Sequence, residues 1–160
     1  MCEEERQLLQ QVDDPYSCTH FGDFGSNRHW VRVFNVVDGD TFDGLIVVNS
    51  KLYRARFRLD AIDAPEIHPR QHDPDHDAIV SAGNAAKVYL QHLIDSAGST
   101  TVPCELLHTD AFGRILCRAN VSSRSWNDQM VEDGYAVRYT ERKLPWKDRQ
   151  SSMFSQRVKM

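Results

Sequence analysis

Residues 29–66 read HWVRVFNVVDGDTFDGLIVVNSKLYRARFRLDAIDAPE, and the fold turns on how this stretch is divided. Three runs rich in β-branched and aromatic residues, 29–37, 41–49 and 52–62, are separated by DGD and NSK. Both separators are turn-forming, so the spacing predicts a three-stranded antiparallel meander. Asp-Gly suits a hairpin turn because glycine takes positive φ without strain. The third run carries a conflict. Phe57, Leu59 and Ala61 share one face, yet Arg58, Asp60, Asp63 and Glu66 bring charge into what should be a packed sheet. In a regular strand Arg58 and Asp60 point one way and Asp63 the other. Pro65 holds the residue before it extended and cannot donate to a ladder. The strand is therefore expected to end or bulge near Asp63, which would let Arg58 and Asp63 converge.

Beyond this stretch, DAPEIHPRQHDPDHD (63–77) holds three prolines and reads as a surface loop. Ile79, Gly83, Ala86, Leu90, Leu93 and Ala97 then recur at threes and fours, predicting an amphipathic helix over 78–97 that stops at Gly98. TTVPCELLH (100–108) and RILCRANV (114–121) read as two strands around TDAFG, and SWNDQMVED (125–133) as a short helix with Ser125 as N-cap. The basic C-terminal end has room for one further helix. Residues 1–28 show no sustained period and read as an irregular or partly helical extension. The expected organisation is an N-terminal extension (1–28), a core domain (29–142) and a basic segment (143–160). Five strands with a helix between the third and fourth point to an α+β, mainly β, fold: a five-stranded Greek-key barrel of the OB type with about three helices. An open α+β sheet fits the same string of elements.

The bulk properties narrow the setting. At 160 residues, 41% hydrophobic and 26% charged, the chain has the size of one domain and can bury a core without staples. It has no apolar run near the roughly 18 residues of a membrane span, and its first residues lack the pattern of a secretory signal, so an intracellular location is the expectation. Cys2, Cys18, Cys104 and Cys117 form no CxxC pair, and reduced thiols are expected. Cys104 and Cys117, nearly equidistant from one turn, are the pair placed for a disulfide. Trp30, Trp126 and Trp146 read as packing residues. The net charge of −4 is unevenly spread. Residues 1–20 carry Glu3, Glu4, Glu5, Asp13 and Asp14 against Arg6, whereas residues 138–160 carry Arg138, Arg142, Lys143, Lys147, Arg149, Arg157 and Lys159 against Glu141 and Asp148.

Asp38, Asp40 and Asp43 crowd into DGDTFDG, but an EF-hand would need a ligand at Phe42. Hard oxygens from two turns, Asp40 and Asp63, with a carbonyl from the 63–65 bend, would suit Ca²⁺ or Mg²⁺. An arginine beside such a site, Arg58, makes sense if the ligand is a phosphate. Arg114, after Gly113, supplies a second guanidinium, and Glu66 a carboxylate for water. Together these would assemble phosphodiester hydrolysis. A rival chemistry is Zn²⁺ on His68, His72, Asp73, His76 and Asp77, although their spacing imposes no tetrahedral set.

VVDGDTFDG (36–44), FRLDAIDAPE (57–66) and HTDAFGRILC (108–117), in that order with the 78–97 helix between the last two, resemble the staphylococcal nuclease (thermonuclease) family over residues 30–140. The resemblance implies an OB-type barrel with three helices. It also implies Asp40 and Asp63 as side-chain ligands of Ca²⁺, or of Mg²⁺ or another divalent cation, with Ala64 lending its carbonyl where the family often has threonine. Arg58 and Arg114 would contact the scissile phosphate and stabilise its transition state. Glu66 would activate or orient the attacking water, although a glutamate is a weak base at neutral pH. The implied activity is calcium-dependent hydrolysis of DNA and RNA with little sequence preference, leaving 3′-phosphate ends. The alternative is a non-catalytic OB-type nucleic-acid-binding module, which has no reason to keep the acids. Two departures stand out. Ala111 and Phe112 replace a lysine and a tyrosine, so Phe112 keeps a stacking face without a hydroxyl. Tyr139 lies one residue from the position of a substrate-contacting tyrosine.

Overall fold

In the computed structural model, which describes residues 3–15, 19–20, 28–140 and 144–158, the meander is present and closes on itself. β2 (Arg28–Asp38), β3 (Thr41–Val48) and β4 (Lys51–Leu59) pair antiparallel in sequence order. They follow a short α1 (Glu3–Gln10) and a two-residue β1 (Thr19–His20). After β5 (Ile62–Asp63) and α2 (His76–Ser96), β6 (Thr101–Thr109) pairs with β2, and β7 (Ile115–Ala119) returns from β6 to lie parallel to β4. The β4–β7 pairing, with Phe57 opposite Ile115 and Leu59 opposite Cys117, closes a five-stranded barrel. This is the OB arrangement, and the open-sheet alternative is excluded by the closure. α3 (Trp126–Glu132), β8 (Val137–Arg138) and α4 (Trp146–Val158) complete the chain. Among the described residues there are thus four helices; the one beyond the expected three is α1. The parts of the sequence reading that rest on residues 21–27, on Cys2 and Cys18, and on Glu141, Arg142, Lys143 and Lys159 lie outside the described residues. Among the described residues no helix is long and apolar enough to cross a membrane.

The alternation along β2 and β4 puts Val31, Val33, Ala55, Phe57 and Leu59 inside the barrel. Phe42 stacks on Phe57 with ring centroids 5.3 Å apart, and Trp126 of α3 meets Phe42 edge-on at 6.2 Å. β3 departs from alternation: from Thr41 to Val47 every residue is buried. Its outer face is covered because Leu9 of α1 packs on Leu45 and Val47, with Trp30, Phe34 and Leu52 around them. Arg32 fixes the helix by donating to the carbonyls of Leu9, at 3.0 Å, and Val12. Burying a leucine such as Leu9 contributes on the order of 2 kcal/mol. α2 buries Ile79, Gly83, Ala86, Leu90, Leu93 and Ile94, the expected face shifted only at its end. All three tryptophans are packing residues: Trp146 joins Ile79, Val137 and Met153, and Trp30 lies under Arg6.

α3 begins as its sequence implies, with the Ser125 hydroxyl accepting from the Asp128 amide at 3.1 Å. The wholly buried Asn127 then ties the helix to the barrel. Its side chain accepts from the Ala119 amide and donates to the carbonyls of Cys117 and Asp60. Cys104 and Cys117 are buried thiols on neighbouring strands, not joined to each other, and the hydrogen bond between them, then burial, hold the Cys117 thiol well above its ordinary range.

Two features differ from expectation. The third strand stops at Leu59, not Ile62, and its break falls at Asp60–Ala61, where Ala61 has φ 63°. One residue in the left-handed region re-aims the chain, so the parity conflict between Arg58 and Asp63 is resolved two residues ahead of Asp63, near which the break was expected. Gly39 of the DGD turn is not at positive φ. It is glycine for lack of room, as described next.

Candidate active site

Three chain segments meet at one end of the barrel: the β2–β3 turn carrying Asp38 and Asp40, the run from Arg58 to Glu66, and the β6–β7 loop carrying Phe112 and Arg114. The first two are locked together by backbone. The Leu59 amide donates to the Asp40 carbonyl at 2.8 Å, and the Ala64 amide to Asp40 Oδ2 at 2.8 Å. Close approach makes this possible. A Cβ on Gly39 would stand 2.5 Å from Ala86 and 2.9 Å from Ala64, and one on Gly83 within 2.8 Å of the Pro65 and Glu66 carbonyl oxygens. Glycine at these two places therefore lets α2 press the turn and the Pro65 bend into one site.

Arg58 is buried, at 7% exposure, beneath the cleft floor. Its Nη1 donates to the carbonyls of Ile62 at 2.9 Å and Leu59 at 3.3 Å. Its Nη2 lies 3.2 Å from Asp63 Oδ1 and 3.5 Å from Asp40 Oδ2, and the Tyr139 ring lies 5.9 Å from its guanidinium carbon. The second oxygen of Asp63 accepts from Arg149 Nη1 at 3.1 Å. Arg149 belongs to α4 and was not singled out as a site residue by the sequence. The basic C-terminal run was the one signal that could have found it.

Arg114 is held by its own loop. Its Nε donates to Asp110 Oδ2 at 2.7 Å, while Asp110 Oδ1 accepts from the amides of Phe112 and Arg114 at 2.9 and 3.0 Å. Burial alone would raise the Asp110 carboxyl, but these bonds and the guanidinium hold it below the ordinary aspartate range. Asp110 is the second organiser the sequence reading passed over. Phe112, 84% exposed, stands 5.4 Å from the Arg114 guanidinium, and Tyr139 is half exposed.

The cleft has a volume of about 630 Å³ and is lined by Asp38, Asp40, Arg56, Arg58, Asp63, Ala64, Glu66, Phe112, Arg114 and Arg149. Glu66 stands exposed on the rim. Every expected metal, catalytic and phosphate position thus faces one space, except Tyr139, which lines an adjoining depression with Arg58 and Arg114. Burial, then the Asp40 carboxylate beside it, push the Asp38 carboxyl up to about 7. The available donors are carboxylate and carbonyl oxygens, a set that fits a hard divalent cation and not a thiophilic one. Among the described residues no three His, Cys, Asp or Glu side chains converge as a ready-made metal cage. That applies equally to the 68–77 histidines, where His76 pairs with Asp77 at 3.2 Å.

A family model described as Staphylococcal nuclease homologue matches residues 56–158. No curated protein matches the chain. The matched span takes in Arg58, Asp63, Glu66, Arg114 and all of α4, while Asp40 lies ahead of it, on a hairpin that the barrel closure makes part of the same unit.

Proposed function

The chain belongs to the staphylococcal nuclease homologue family, and from that premise we propose that it is a calcium-dependent nuclease. It hydrolyses phosphodiester bonds of DNA and RNA with little sequence preference and leaves 3′-phosphate ends. One observation carries the reading: Arg58, Asp40 and Asp63, from two separate turns, meet within 3.5 Å in a cleft that Arg114 also lines.

Asp40, Asp63 and the Ala64 carbonyl are the groups that would hold the cation, Ca²⁺ first and Mg²⁺ or another divalent ion second. Such a cation, when bound, supplies charge neutralisation at the phosphoryl oxygens. The remaining work falls to the side chains. Arg58 is already oriented by two carbonyls, so its Nη2 can turn from Asp63 to a phosphate oxygen with little reorganisation. Arg114, aimed by Asp110, grips the phosphate from the loop side and leaves it between two guanidinium groups as charge develops on its oxygens. Glu66, on the rim, is placed to orient or deprotonate a water entering from solvent. Phe112 and Tyr139 offer exposed ring faces for bases on either side.

The test is cleavage of plasmid DNA and single-stranded RNA in Ca²⁺, Mg²⁺ or EDTA, beside Arg58→Gly. Cleavage should require the cation and fall by about 10²–10³ in the variant, the usual loss of one preorganised donor to a developing anion. Equal cleavage in EDTA, or an unaffected variant, overturns the reading. Binding without cleavage in any cation would turn it to the non-catalytic module.

A further inference from the structure

The outer face of β4 carries Arg54, Arg56 and Arg58 at alternate positions. Arg58 forms part of the site described above, Arg56 lines the edge of its cleft, and Arg54 lies beyond it. Arg56 is held flat against the sheet by Asp43, its neighbour across the ladder, through Nε–Oδ1 at 2.8 Å and Nη2–Oδ2 at 3.2 Å, and its side chain remains 48% exposed. Asn35 donates to the same carboxylate at 3.1 Å. The Arg56 fork is thus preorganised rather than loose.

Beside these arginines lies a groove of about 330 Å³ formed by Asp43, Arg54, Ala55, Arg56, Phe112, Gly113 and Arg114. On the side of β4 away from β3, β1 pairs at Tyr53–Arg54 and β7 from Phe57 onward, and the groove lies beside the stretch where one neighbour gives way to the other. Arg56, Phe112 and Arg114 line both this groove and the cleft, so the two are continuous. Three guanidinium groups face one carboxylate along it, with an exposed aromatic ring at the junction. Residues of one parity on a strand stand roughly 7 Å apart, comparable to neighbouring phosphates of one nucleic-acid strand.

We propose that this groove is a second nucleotide subsite, in which Arg56 and Arg54 hold the phosphates next to the one at Arg58 and Phe112 stacks on the base between. The ligand is single-stranded nucleic acid, because stacking on Phe112 requires an unpaired base face. The proposal rests on the nuclease reading for what happens at Arg58, but not for binding in the groove. It explains how the chain manages with Ala111 where a lysine is expected: the cations come from the strand, not the loop.

The experiment is fluorescence anisotropy of a labelled dT 12-mer and a dT dinucleotide in EDTA, over a salt series. The proteins are the wild type, Arg54→Gln, Arg54→Lys and Arg54→Gln/Arg56→Gln, each checked by thermal melting. Arg54→Gln leaves the Asp43–Arg56 pair in place, so it reads the groove even if the double variant folds poorly. The slope of log K against log salt for the 12-mer should fall by about 0.7 for each arginine removed. It should stay unchanged in Arg54→Lys, and dinucleotide binding should be unaffected throughout. Equal slopes in all proteins, equal losses for the dinucleotide, or failure of the wild type to bind the 12-mer overturn the subsite. Cation-dependent cleavage is read separately. A chain that shows the slope changes but never cuts loses the nuclease reading and keeps the groove; one that cuts with unchanged slopes does the reverse.

Discussion

Arg58 and Arg114 face the same cleft, but the molecule holds them in different ways. Arg58 sits at the end of a barrel strand with its side chain 9% exposed, bound to two carbonyls and two carboxylates from two chain segments, one of them the β2–β3 turn. Arg114 is 30% exposed and bound within a single loop, through Asp110 four residues away. One guanidinium is a product of tertiary closure; the other is a product of local turn chemistry. Half of the site is therefore inseparable from the stability of the barrel, and half can be altered without touching it.

Unfolding measurements in urea offer the strongest way to break that contrast. Arg58→Ala leaves Asp40 and Asp63 facing each other with one neutralising group gone and should cost about 3 kcal/mol, as for other buried pairs that lose a partner. Arg114→Ala should cost less than about 1 kcal/mol, and equal losses would erase the distinction. A subtler probe is Gly83→Ala. In an exposed helix the change gains about 1 kcal/mol. Here the methyl meets the Pro65 and Glu66 carbonyls, and a net loss of about 2 kcal/mol is expected from overpacking, along with reduced cleavage. A stabilised variant would show that α2 does not press the bend into place.

The smallest effect is expected on the loop side, and it is a matter of pH. The Asp110 carboxyl lies below its ordinary value in the folded chain, so between the folded and ordinary values the unfolded chain binds more protons. The stability Asp110 contributes is full above the ordinary aspartate range and is lost as pH falls through the folded value. Asp110→Asn should flatten that acid limb, as followed by tryptophan fluorescence, and leave stability at pH 7 within about 1 kcal/mol. An unchanged acid limb would mean that Asp110 does not organise the loop.

The pattern of what was legible follows the same division. The three strands, the α2 face and the Ser125 cap were readable because each rests on local periodicity or a single side-chain bond. Asp40, Arg58, Asp63 and Arg114 could be picked out because their residue types conflict with the strand and turn settings around them. The place of the strand break was missed because nothing in the sequence marks an alanine for the left-handed region; tertiary bonds hold Ala61 there, among them its carbonyl accepting from the Tyr139 amide at 2.8 Å. Gly39 was given a conformational reason when its real one is the proximity of Ala86, a residue 47 positions later, which no local pattern reveals. Arg149 escaped for the same cause.

The contact between Arg149 and Asp63 spans 86 residues, and the parallel closure of β4 with β7 spans nearly 60. Loop-closure entropy must be overcome before either contact returns anything. In kinetic terms, the meander with Asp40 and Arg58 can form early from neighbouring segments, while the complete cleft exists only once β7 and α4 have arrived. During synthesis from the N-terminus, the acids and Arg58 are made long before the residues that finish their surroundings. A partly made chain therefore carries the pieces of the site without the site itself.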